Sequence, residues 1–317
     1  MFGDSPPLQN ARFSFELYPP RSAAAEASLF EAVDRLTAVQ PDFVSVTYRP
    51  TGHDRAASLG VLDRLIRAHK VSAMAHLTCV GSSFEETSRV IREFLDAGVT
   101  SFLALRGDPP EGSPDGDDFL GDFRSAGELV QLIHRVQAER SPFSFHEVPG
   151  FPAAKRLRSG TKVTIAVATF PNGHPRSRSR AQDIDTLLAK EAAGANLAIT
   201  QLFFHAEEYF SFVDEARDAG VTMRIVPGIM PVLSVARLNR MLELSGEATP
   251  RELLASLESA PDAATASQLG IEACIRLARD LLAGGADGIH LYTFNRAEAP
   301  LAVLRGAGLL EVSNLRS

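Results

Sequence analysis

The chain has 317 residues, 45% hydrophobic and 22% charged, with a formal net charge of -7. That composition gives a globular chain with a large core and argues against nucleic acid or an anionic membrane as partner. Its two cysteines, Cys79 and Cys274, lack disulfide-framework or metal-ligand spacing, and neither a leader pattern nor a run of about 18 apolar residues occurs, so a metal-free cytoplasmic protein is expected.

Taken in chain order, short β-rich runs recur at 12–17 (RFSFEL), 42–48 (DFVSVTY), 71–79 (VSAMAHLTC), 99–106 (VTSFLALR), 162–170 (KVTIAVATF), 196–204 (NLAITQLFF), 223–228 (MRIVPG) and 287–294 (DGIHLYTF). Amphipathic stretches lie between them. In FEETSRVIREFLDAG, Val90, Ile91, Phe94 and Leu95 fall at helical spacing and the segment closes on Gly98; two later stretches close on Gly194 and Gly220 in the same way. Strand, helix and glycine repeated through the chain build a parallel sheet covered by helices, and eight such units predict a single-domain (β/α)8 TIM barrel over residues 1–317. Three stretches interrupt the rhythm. Residues 141–161 read as an insertion before the fifth strand, on the face opposite the active site. Residues 245–268 read as an extra short helix and loop, and 114–119 (PDGDDF) as a mobile acidic loop.

A barrel carries its chemistry at the C-terminal ends of its strands. Those ends bring Glu16, Thr47, His76, Arg106 with Asp108, Phe170 with His174, Gln201, Gly228, and Tyr292 with Asn295 and Arg296. Glu16 lies between apolar and aromatic residues that should raise its pKa and suit it to acid catalysis; a strand-end salt bridge is the alternative. Asp108 could instead cap a loop or pair with Arg106. His76 reads equally as an interior histidine or a ligand contact. Gln201 offers a two-way amide for a planar heterocycle or plays a structural part. The arginines of 174–183 (HPRSRSRAQD) would suit a phosphate or form a solvated basic loop. No GxGxxG follows a strand, and no GxxxxGK[ST], HExxH or GxSxG occurs, so a Rossmann dinucleotide site is unsupported.

The segments FSFELYPP, FVSVTYRP, AHLTCVG, LALRGDPP, GANLAITQLFF, VPGIMPV and LYTFNRAEA, in order and spacing over residues 12–307, resemble methylenetetrahydrofolate reductase of the bacterial type. The resemblance implies a barrel that binds FAD without a Rossmann domain and reduces 5,10-methylenetetrahydrofolate to 5-methyltetrahydrofolate in two half-reactions, with NADH or NADPH as reductant, supplying methyl groups for methionine synthesis. It also implies a homo-oligomer. By the same resemblance Glu16 is the general acid, and Asp108 the carboxylate near the flavin and pterin. Thr47, His76, Leu105, Arg106, Gly107, Asp108, Ala168, Phe170, His174, Asp183 and Lys190 are then cofactor contacts, while Gln201, Tyr292, Phe294 and Arg296 meet the substrate.

This chain departs from the family pattern at several of these positions. Phe170 stands where a tyrosine is expected, Arg237 and Met241 where a glutamine and a phenylalanine are expected, and Phe294 where a leucine is expected; Phe294 is read as supplying the stacking surface lost at 241. A regulatory S-adenosylmethionine domain is not expected. A folate-binding barrel of another class, such as a methyltransferase, and a flavin-poor relative are the competing readings.

Overall fold

The computed structural model describes residues 12–48, 52–109, 118–140, 144–148, 151–158 and 163–310. The first half of the barrel comprises β1 (Arg12–Leu17), α1 (Ala23–Thr37), β2 (Phe43–Val46), α2 (Gly52–Arg67), β3 (Ala73–Thr78), α3 (Phe84–Asp96), β4 (Ser101–Leu105) and α4 (Ala126–Arg140). A hairpin, β5 (Ser144–Val148) and β6 (Phe151–Arg158), interrupts it. The second half runs through β7 (Thr164–Thr169), α5 (Arg180–Ala192), β8 (Leu197–Thr200), α6 (Ala206–Asp218), β9 (Arg224–Val226) and β10 (Gly228–Ile229). It ends with α7 (Val235–Ser245), α8 (Arg251–Glu258), α9 (Ala263–Ala283), β11 (Gly288–Tyr292) and α10 (Glu298–Gly306).

The main sheet runs β10-β11-β1-β2-β3-β4-β7-β8-β9 with every pairing parallel. Its two ends, β9 and β10, are one strand broken at Pro227, which has no N–H to give the ladder. The Pro227 carbonyl still accepts from His290 N at 2.9 Å, so the sheet closes on itself as the eight-stranded barrel expected from the sequence.

Side chains alternate across each strand. One set, including Phe15, Leu17, Val44, Val46, Phe102, Ile165, Val167 and Leu291, packs outward in the large core shared with the helices. The other set points into the barrel, where Phe43, Met74, Leu103, Ala166, Leu197, Ile199 and Val226 make a separate apolar cluster. The floor is largely apolar, with the His290 ring stacked on Phe43 at its edge, 5.7 Å between centroids. Gly98, Gly194 and Gly220 follow α3, α5 and α6 at φ +94, +111 and +101, the left-handed turn that aims each chain back into the sheet.

The strands are shorter than the sequence runs. The sixth barrel strand stops at Thr200 and leaves residues 202–204 outside the sheet, and the eighth stops at Tyr292, with Phe294 and Asn295 in left-handed backbone at φ 50 and 58. The expected insertion at 141–161 contains the antiparallel β5–β6 pair; residues 141–143, 149–150 and 159–161 of it lie outside the described residues. Of the expected mobile loop, 114–117 lie outside them as well, while Asp118–Leu120 form a 3-10 turn whose Phe119 carbonyl accepts from Gly81 N at 2.7 Å. The extra helix between the seventh and eighth strands is α8.

Candidate active site

Parallel pairing in the β1–β11 ladder sets Ser14 beside His290 and Glu16 beside Tyr292. These four residues occupy inward positions two apart, so strand geometry alone delivers a hydroxyl, a carboxylate, an imidazole and a phenol to one wall of the barrel. His76 enters from β3. His76 Nε2 lies 3.6 Å and His290 Nε2 3.9 Å from Glu16 Oε2, while Ser14 Oγ and His290 Nδ1 are 2.8 Å apart. With the Ser14 hydroxyl donating to Nδ1, the His290 proton sits on Nε2 and faces the carboxylate.

This cluster is nearly sealed from bulk water: Glu16 is 7% exposed, His76 3% and His290 0%. Burial pushes the Glu16 carboxyl up. The adjacent polar side chains of His290, His76 and Tyr18 outweigh it and hold Glu16 below the usual carboxylate range. Apolar neighbours alone would have raised it, so the sequence expectation is corrected: the polar inward faces of β3 and β11, remote in sequence, decide the sign. Burial drives His76 down to about 4 against the pull of Glu16, leaving a neutral imidazole beside an ionised carboxylate.

Ser45 Oγ, His76 Nε2, Thr78 Oγ1 and His290 Nε2 are buried polar atoms without a hydrogen-bond partner. All four belong to inward positions of β2, β3 or β11. These unmet atoms on inward strand positions are open to a polar guest or to water.

A second wall is cationic. After β4, Arg106 turns its guanidinium over the Phe119 ring, 5.2 Å from its centroid. Gly107 takes φ +82, and a Cβ there would stand 2.4 Å from Val80 Cγ2; Asp108 follows, exposed. Lys190 reaches from α5 so that Nζ donates to the Ala168 carbonyl at 2.8 Å, and burial lowers its pKa to about 8 despite Asp183. Asp183 is itself buried in the first turn of α5 and accepts from Ser177 Oγ. The Phe170 ring meets His174 edge-on at 4.6 Å. Leu105 and Thr47 complete the rim, and the Thr47 amide donates to the Leu17 carbonyl at 3.0 Å.

The third wall holds Gln201, whose Oε1 accepts from Leu202 N at 2.8 Å, and Tyr292, whose hydroxyl donates to the Thr200 carbonyl at 2.8 Å. Gly228 passes beneath them: a Cβ would lie 2.3 Å from Thr200 O and 2.7 Å from Tyr292 Oη. Beyond β11, Asn295 bonds the Tyr18 amide and carbonyl at 2.8 and 2.9 Å, which fixes the left-handed turn. Phe294 stacks on Tyr18 at 5.9 Å, and the Arg237 guanidinium lies 4.2 Å from the Phe294 centroid. Arg296 is exposed beside this group, while Met241 packs with Phe294 and Tyr292 against the apolar cluster around α7 and α8.

The structure places the sequence-predicted residues on, or just beyond, β1, β2, β3, β4, β7, β8 and β11, with Asp183 and Lys190 on α5. Sequence reading missed Ser14 and His290. The period-two pairs Ser14/Glu16 and His290/Tyr292 were the available signal, but only the β1–β11 register joins them.

The profile of the family described as Methylenetetrahydrofolate reductase matches residues 3–308. The chain is 32% identical over 313 residues to "Probable methylenetetrahydrofolate reductase (NADH)" of Oryza sativa subsp. japonica, covering 96% of this chain and 49% of that protein. It is 31% identical over 297 residues to "5,10-methylenetetrahydrofolate reductase" of Salmonella typhimurium, covering 93% of this chain and 90% of that one. The chain therefore spans about half the length of the plant relatives and nearly all of the bacterial one. Among solved structures, an uncharacterized protein from Clostridium thermocellum, which binds two copies of 5-methyl-5,6,7,8-tetrahydrofolic acid, matches with TM-score 0.57 at 13% identity over 94% of both chains, a likeness of fold alone.

Proposed function

The chain belongs to the methylenetetrahydrofolate reductase family, and from that premise we propose that it reduces 5,10-methylenetetrahydrofolate to 5-methyltetrahydrofolate with NADH or NADPH through a bound FAD. The observation that carries this reading is the Glu16 carboxylate set 3.6 Å from His76 and 3.9 Å from His290 at the barrel mouth.

The residues fit FAD. An anionic cofactor needs local positive charge in a chain of net charge -7, and Arg106 and Lys190 supply it. The buried unpaired atoms of Ser45, His76, Thr78 and His290 offer hydrogen bonds to a polar ring system. When bound, FAD supplies the two-electron relay between nicotinamide and folate. Thr47, His76, Leu105, Arg106, Gly107, Ala168, Phe170, His174, Asp183 and Lys190 would hold it.

The folate chemistry assigns Glu16 its task. The substrate carbon bridges two folate nitrogens, N5 and N10, and the product carries it on N5 alone. The bond to N10 must break, and N10 must gain a proton. Glu16 supplies that proton. Because the free site holds Glu16 ionised, the carboxylate must take up a proton before N10 can receive one. Asp108 offers negative charge to the cationic iminium left on N5, while Gln201 and Tyr292 orient the pterin. The same reading includes a cytoplasmic setting and a homo-oligomer, which light scattering on the purified protein tests. No helix among the described residues is long and apolar enough to cross a membrane.

The experiment is anaerobic. A visible flavin band that bleaches with NADH or NADPH and returns on adding methylenetetrahydrofolate supports the reading. A protein that neither carries nor takes up FAD contradicts it.

A further inference from the structure

Arg237 stands in the first turn of α7, its amide bonded to the Ser234 cap at 3.2 Å. A cation is unfavourable at this end of a helix, where the backbone dipole is positive, and no acidic residue shares the turn. Burial and the nearby positive charge of Arg296 also weaken the hold of Arg237 on its proton. Among the described residues, neither guanidinium forms an ion pair with a carboxylate. Arg237 is favoured by the face of Phe294 at 4.2 Å and by the nearby Tyr18 side chain. That ring is held firmly by the Tyr18 stack and the Asn295 turn. Two like charges therefore lie near one another beside a fixed aromatic plate, offset in part by the Glu298 carboxylate beside Arg296.

We propose that Arg237 and Arg296 form an anion seat for a carboxylate or phosphate of a substrate lying across Phe294, with Arg237 setting which substrate is preferred. The inference rests on the reductase reading above. Two sources share this chemistry: the glutamate tail of the folate and the phosphates of the nicotinamide dinucleotide. In either case the anion would relieve the mutual repulsion of the arginines and the clash with the α7 dipole, so binding gains from a cost already present in the free protein.

The test compares wild type with Arg237→Gln and Arg237→Lys in the FAD-loaded enzyme. KM and kcat are measured for mono- and triglutamyl methylenetetrahydrofolate and for NADH and NADPH, and calorimetry follows 5-methyltetrahydrofolate mono- and triglutamate. Arg237→Gln is expected to raise KM roughly tenfold for the substrate that uses the seat, with kcat nearly unchanged; Arg237→Lys should recover part of the loss. A larger loss for triglutamate than monoglutamate assigns the seat to the folate tail, and a loss confined to NADH or NADPH assigns it to the dinucleotide. Wild-type binding and turnover that are unchanged in Arg237→Gln overturn the seat and leave the reductase reading standing. Absence of folate and dinucleotide binding in wild type overturns both.

Discussion

His76 Nε2 stands 3.6 Å from Glu16 Oε2 inside the barrel, and both side chains are nearly fully buried. The carboxylate is ionised and the imidazole neutral, which gives the pair a definite pH signature.

His76 has a folded pKa of about 4 against an ordinary value of 6.5, so in that interval the unfolded chain binds the extra proton. Stability is therefore greatest above pH 6.5 and declines as pH falls toward 4, by about 3 kcal/mol in all. Glu16, whose pKa is lowered, contributes stability that is present above its unfolded value and lost as pH falls through its folded one. Urea midpoints between pH 4 and 7 should decline steeply in wild type and more gently in His76→Gln.

Lys190 gives the opposite edge. With its pKa lowered to about 8, it loses charge as pH rises past that value, and FAD affinity should fall over pH 7.5 to 9.5. Titrations of the apoprotein followed by flavin fluorescence should show the fall in wild type and its absence in Lys190→Met, which binds weakly throughout.

Gly228→Ala places a Cβ against Thr200 O and Tyr292 Oη. Backbone on one side cannot yield, so the substitution is expected to cost about 1–3 kcal/mol and to displace Tyr292. Thermal unfolding reads the first effect. A raised KM for folate, with flavin reduction by NADH unchanged, reads the second.

Much of this site is visible before folding. Period-two runs and terminal glycines such as Gly98 and Gly194 announce strands and helices through local sterics, and strand-end polarity points to Glu16, His76 and Gln201. Three features resist such reading because they depend on contacts distant in sequence. Ser14 meets His290 across 276 positions, and only the ladder register shows that pairing. The downward shift of Glu16 needs the imidazoles of β3 and β11. Pro227 splits a strand whose closure depends on a carbonyl bond to His290. The unusual residues at 237 and 294 are evident in the sequence, but their ring contact is not.

The most direct test of the account is Glu16→Gln, studied one half-reaction at a time. The amide keeps the size and polarity of the side chain but cannot deliver the proton that N10 requires. Bleaching of the flavin by NADH should proceed within a few-fold of wild type, while its reoxidation by methylenetetrahydrofolate should slow by about 10²–10⁴-fold. Reoxidation at the wild-type rate would contradict the assignment of Glu16 as the acid and, with it, the chemistry assigned to this wall of the barrel.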